Sequence, residues 1–196
     1  MISPGSGREL LDAAVSYALA GAAMATPAQL SCPTPCTSWN LQTLLDHLSD
    51  SIGELTDLIG NAGAAAPAAP PGPWPEGDPT ARLRGQAARL RAACATPRAV
   101  ARLVAIGDRE ITASMVAVTG AIEITVHGWD IFSACGTHRP VPPGLASALL
   151  PAAALLVTPR TRPGLFAGPV HLPGSAVPGD QLVAFLGRQP RSPAAA

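Results

Sequence analysis

The stretch from Ile111 to Cys135 constrains this chain more than any other. It is almost wholly apolar or small, with Met115, Val116, Val118, Ala121, Ile122, Ile124, Val126 and Ile131 along its length. It reads as one long helix. A helix that is apolar around its whole circumference belongs inside a bundle. Between Ala121 and Ala134 the ionisable side chains are Glu123, His127 and Asp130. Glu123 and His127 stand one turn apart on one face, and Asp130 shares that face. Burying an unpaired carboxylate is costly, so something must compensate it. A hydrogen-bonded Glu–His pair is one answer; a divalent cation held by both is another.

The rest of the chain supplies helices for that bundle. Gly7 to Ala25 carries Leu11, Val15, Ala18 and Ala22 as one apolar stripe. Asn40 is a good N-cap for a second helix running to about Ile59, with Leu41, Leu44, Leu45, Leu48, Ile52, Leu55 and Ile59 as its core face. Asp46, Asp50, Glu54 and Asp57 lie largely opposite. A third helix is expected over Pro79 to Ala95, its arginines forming a solvated face, and a fifth over Pro143 to Leu156. Thr26 to Ser38, rich in proline, reads as an ordered connection, and Val100 to Ile106 as a short extended piece. Asn61 to Thr80 is mostly Ala, Pro and Gly, read as a loop and either a tolerated linker or a lid. After short pieces at Val170 to Leu172 and Asp180 to Gly187, the residues from Gln189 on are expected to be disordered. The expectation is a mainly all-α, single-domain bundle over residues 1–188 with short C-terminal additions.

A cation needs a third ligand from another element, and the second helix offers His47 on a leucine-rich stretch. Alone, such a histidine is more often a satisfied core residue. Beside Glu123 and His127 it completes two imidazoles and one carboxylate, a three-ligand set that leaves zinc a fourth position open. Nickel or iron would accept the same donors.

Two runs carry a resemblance. Pro33-Thr34-Pro35-Cys36-Thr37-Ser38-Trp39-Asn40-Leu41, then Leu44-Leu45-Asp46-His47-Leu48, is similar to the entry into the second helix of mycothiol-dependent maleylpyruvate isomerase-like proteins of the DinB-like superfamily. Glu123-Ile124-Thr125-Val126-His127-Gly128-Trp129-Asp130-Ile131, then Ala134-Cys135-Gly136, resembles the second family signature. Phe185-Leu186-Gly187-Arg188 resembles the family's C-terminal end. The resemblance implies a DinB-like four-helix bundle with a divalent metal, usually zinc, held by His47, Glu123 and His127. It implies mycothiol as co-substrate, activated at the open metal position for isomerisation or S-transfer. The separate C-terminal domain of longer maleylpyruvate isomerases is not expected here.

Further candidates are Asp130, as a residue orienting a ligand or acting in catalysis, and Arg109, as a clamp for a substrate carboxylate or a surface ion pair. Trp129, Cys36 and Cys135 are expected in the core, and His138 and His171 to be structural or exposed. Cys32 and Cys36 have no matching finger pair. Charged residues are 13% of the chain, with 13 basic and 13 acidic side chains, which leaves no basic excess to displace counterions from a nucleic acid. Every basic residue is arginine, so Schiff-base and P-loop lysine chemistry are excluded. The apolar run Ala13 to Ala25 lacks a basic segment before it and reads as a helix face rather than a signal. The expected protein is cytoplasmic, with reduced thiols, a small-molecule substrate and no nucleic-acid or membrane partner. Its low charge allows a homodimer through an apolar face. Beside a thiol-assisted metalloenzyme, two readings stay open. One is a cyclase or isomerase of specialised metabolism using the apolar pocket with or without metal. The other is a non-enzymatic metal- or ligand-binding module.

Overall fold

The computed structural model describes residues 4–36, 39–60, 79–96, 99 and 101–190. Among these, six helices surround one core. They are α1 (Pro4–Ala22), α2 (Leu41–Gly60), α3 (Pro79–Ala93), α4 (Ala113–Ala134), α5 (Pro143–Leu156) and α6 (Pro178–Phe185). A short antiparallel hairpin, β1 (Leu103–Ile106) and β2 (Arg109–Thr112), leads into α4. Among the described residues the fold is all-α apart from this hairpin.

The apolar run of α4 dictates its place. Every residue from Ile124 to Phe132 is buried, because α1, α2 and α5 all pack on this helix. The leucines expected as the core face of α2 are buried, and Asp50, Glu54 and Asp57 are exposed. Charge then ties the outer helix to the bundle. On α3, Arg91 donates to Asp12 at 2.6 Å and to Ser16 at 2.7 Å, both on α1. Arg82 pairs with Asp50 of α2. The arginines of α3, expected as a merely solvated face, therefore also bridge to two neighbours.

The helix α1 lies unusually close to α4, and glycine permits it. A Cβ built on Gly128 would stand 2.9 Å from Tyr17 Cδ1 and 3.0 Å from the Ala18 Cα. The same region is pinned by Tyr17, whose hydroxyl donates to the Arg139 carbonyl at 2.7 Å and whose ring lies 5.2 Å from that of Phe132. Gly128→Val is expected to cost about 1–3 kcal/mol by overpacking, read as a lower urea midpoint at unchanged m-value.

Several boundaries differ from the sequence reading. Pro4 fits the first turn of α1, where a missing N–H costs nothing, and the helix ends at Ala22 rather than Ala25. The long helix begins at Ala113 rather than Ile111. Ile111 pairs with Val104 and Thr112 with Leu103, so both are spent on the hairpin. Thr112 then caps α4, accepting from the Met115 amide at 3.2 Å. Gly107, at φ +62°, makes the hairpin turn. Val170 to Leu172, expected as a short piece, carries no regular secondary structure, while the helix-like piece expected over Asp180 to Gly187 is α6. Of the expected free tail, Gln189 is exposed and Pro190 buried, and 191–196 lie outside the described residues. The Ala/Pro-rich stretch, as far as residue 78, also lies outside them.

All four cysteines are unpaired. Cys94, after the end of α3, is buried, and burial pushes its thiol up to about 11 against the opposing charge of Arg8. Burial also pushes the Tyr17 hydroxyl up. A group raised in the folded state gives stability that is whole below its unfolded pKa and lost as pH rises through the folded one. The urea midpoint should therefore fall between about pH 9 and pH 11, and fall less in Cys94→Ala. At pH 8 Cys94 should not react with a thiol reagent until the chain is unfolded.

Candidate metal centre

Local sequence builds the two sides of the site. On one side, Asn40 caps α2, its side-chain carbonyl accepting from the Thr43 amide at 2.9 Å. Pro33 and Asn40 form an isolated bridge, and the Leu41 amide donates to the Cys32 carbonyl at 3.0 Å. Thr34 Oγ1 donates to the Trp39 carbonyl at 2.9 Å. The connection is thereby fixed, and the Trp39 ring lies 4.4 Å from that of His47 and 5.9 Å from that of His127. On the other side, α4 presents Glu123 and His127 one turn apart.

The two helices bring the three expected ligands together. His47 Nε2 lies 3.2 Å from Glu123 Oε1. The His47 and His127 rings meet edge to face with centroids 5.2 Å apart. One ligand atom from each of His47, Glu123 and His127 falls within 4.8 Å of the others. Zinc bonds of about 2.0–2.2 Å place tetrahedral donors about 3.4 Å apart, so small side-chain adjustments would close this set on a cation. The donor chemistry also fits: two imidazoles and a carboxylate suit zinc and its neighbours. The side chains of His47 and Glu123 are about a third exposed, at 35% and 34%, which leaves the site reachable from solvent.

Ser51, one turn after His47, was not singled out by sequence. Its hydroxyl donates to Glu123 Oε1 at 2.8 Å. Burial alone pushes the Glu123 carboxyl up, but hydrogen bonds from His47 and Ser51 and the charge of His127 hold it below its ordinary value. The carboxylate is thus kept in the form a cation needs.

Behind His127 lies a second layer. Asp130, fully buried, places Oδ2 at 3.1 Å from His127 Nδ1. Its other partner is Arg188, which donates from Nη2 to Oδ2 at 2.8 Å and from Nε to Oδ1 at 3.1 Å, the fork geometry typical of guanidinium and carboxylate. Burial lowers the guanidinium, but the hydrogen bonds and charge of Asp130 more than reverse this. Asp130 is fully buried and meets the site through His127. Arg188 stands in the run that resembles the family's C-terminal end, but its sequence context gives it no role at the site, because its partner lies 58 positions away.

Cys36, His127 and Asp130 form another group of potential ligands within 4.8 Å. The Arg188 guanidinium already occupies both oxygens of Asp130 there, and its positive charge opposes a cation. Cys36 is half-buried; burial raises its thiol, with Arg188 partly offsetting that. Of the other sequence candidates, Arg109 lies in β2, paired with Ile106, and its side chain is outside the described residues. Trp129 is buried, Cys135 half-buried, and His138 and His171 exposed. No helix among the described residues is long and apolar enough to cross a membrane.

Residues 11–132 match the family described as mycothiol maleylpyruvate isomerase N-terminal domain. Two uncharacterized proteins of Mycobacterium tuberculosis, from strains CDC 1551 / Oshkosh and ATCC 25618 / H37Rv, are each 32% identical over 165 residues. The alignments cover 83% of this chain and 87% of each relative. No solved structure matches the chain. The matched stretch runs from α1 through α4 and takes in His47, Glu123, His127 and Asp130, so the chain belongs to the DinB-like mycothiol maleylpyruvate isomerase N-terminal domain family.

Proposed function

We propose that this protein is a metal-dependent enzyme in which His47, Glu123 and His127 hold a divalent cation, zinc foremost. It would use mycothiol to isomerise a small electrophilic substrate, or add the mycothiol thiol to it. The observation that carries this is the approach of those three ligand atoms to within 4.8 Å on two facing helices of the family's bundle. Bound there, a divalent cation supplies acidification of a thiol and leaves room for it. The protein's own residues do the rest. Ser51 and His47 hold Glu123 as a carboxylate. Trp39 lies beside both imidazoles, closer to His47. Solvent access beside His47 and Glu123 admits the thiol. A thiolate adding to an activated double bond gives a single bond free to rotate. Expelling the same thiolate restores the alkene in the other geometry, so the thiol is recovered. Free cysteines agree with a reducing, cytoplasmic setting.

The test is turnover of maleylpyruvate, or of a simple alkylating electrophile, by the zinc-loaded protein with and without mycothiol. Conversion should need both thiol and metal and should fail in Glu123→Gln. Conversion that is indifferent to the thiol, or undiminished in Glu123→Gln, would contradict the proposal.

A further inference from the structure

The C-terminal helix packs Leu182, Val183 and Leu186 into the core and ends on a turn that also places a charge inside. Helix α6 closes with Gly187 at φ +83°. The Gly187 amide donates to the Ala184 carbonyl at 3.0 Å and the Arg188 amide to the Val183 carbonyl at 2.9 Å. This pair of bonds around a left-handed glycine is the Schellman ending of a helix. The space is tight as well: a Cβ on Gly187 would stand 2.7 Å from the Ala167 carbonyl oxygen. Arg162 braces the same corner, donating to the carbonyls of Ala167 at 2.8 Å and Phe185 at 2.9 Å. The turn sends Arg188 inward, where it is only 5% exposed and meets Asp130. A buried ion pair rarely repays its own desolvation, so its presence calls for a use.

The use follows from the atoms. Arg188 Nη2 and His127 Nδ1 converge on the same oxygen, Asp130 Oδ2. A carboxylate paired with arginine is an acceptor only, so His127 must donate from Nδ1. That choice leaves Nε2 as the ring nitrogen with a lone pair. Imidazole ligands are commonly oriented this way through the nitrogen that does not bind the metal.

We propose that Arg188 is a positioning residue of the metal centre: it locks Asp130, and through Asp130 it fixes the His127 tautomer and ring orientation that present Nε2 to a cation. The inference rests on the metal-centre reading above and deepens it. It also extends the site beyond residues 11–132, to a segment that follows α5 and α6 in the chain.

Two measurements on Arg188→Gln and Arg188→Lys test it. The first is zinc affinity by competition with a chromophoric chelator. The second is the His127 tautomer in metal-free protein, read from ring 15N shifts at a pH where the ring is neutral. Wild type should show the Nδ1–H form alone. Arg188→Gln should show a mixture and bind zinc roughly 10–100-fold more weakly. Arg188→Lys, which keeps the charge without the fork, should fall between. Unchanged affinity with an unchanged tautomer overturns the proposal, and so does weaker binding with the tautomer intact, which would mark a packing effect. If Arg188→Gln does not fold, the lysine variant is read by the same two criteria. Wild type that binds no zinc would refute the metal-centre reading, and the tautomer comparison would then decide this inference alone.

Discussion

Glu123→Gln and His127→Ala should each strip the protein of zinc under conditions where wild type retains about one equivalent per chain. A structural zinc site contributes about 10–16 kcal/mol across four ligands, so one ligand carries about 3 kcal/mol, or roughly 100-fold in Kd. Equilibrium dialysis against buffered free zinc gives that number directly. Glu123→Gln is the selective lever, because glutamine keeps the shape of Glu123 and its side-chain carbonyl can still accept from Ser51, whereas His127→Ala also empties a buried ring position. Secondary structure should therefore persist in Glu123→Gln while metal is lost. His47→Ala should behave alike, with the added loss of packing against Trp39.

How much of this was legible beforehand differs from element to element. The leucine spacing of α2 and the unbroken apolar run of α4 gave those helices, since burial on one face and on all faces write different patterns. The cap at Asn40 was legible because an amide side chain suits that position. Glu123 and His127 announced themselves as charges where the pattern tolerates none. The start of α4 was not legible. Ile111 and Thr112 suit a helix end or a strand equally, and only pairing with Val104 and Leu103 decides. Ser51 was within reach, standing one turn from His47. Arg188 was not, because its role depends on a contact made by the fold across 58 positions. The bridges from α3 were missed for the same reason: an arginine run looks solvated until its partners on other helices are in place.

Asp130→Ala should be the most damaging substitution for stability. It removes the partner of Arg188 and leaves a guanidinium buried at 5% exposure with no counter-charge. Breaking one side of a buried pair costs about 3–5 kcal/mol, a large share of the 5–15 kcal/mol that holds a typical domain together. Urea unfolding should show a markedly lower midpoint. The double variant Asp130→Ala with Arg188→Met should recover part of the loss, because the stranded charge is gone. A double variant as unstable as the sum of the two singles would mean that the pair is not coupled. Metal affinity should not recover in the double variant, since His127 has still lost its Nδ1 partner. Stability and metal binding thus separate in one set of proteins.

X-ray absorption at the zinc edge of loaded wild-type protein, without added thiol, tests the central assignment most directly. Ligation by His47, Glu123 and His127 gives nitrogen and oxygen scatterers at about 2.0–2.2 Å, with the outer-shell signature of two imidazoles. A sulfur scatterer at about 2.3 Å would place the cation at Cys36 instead and contradict the account.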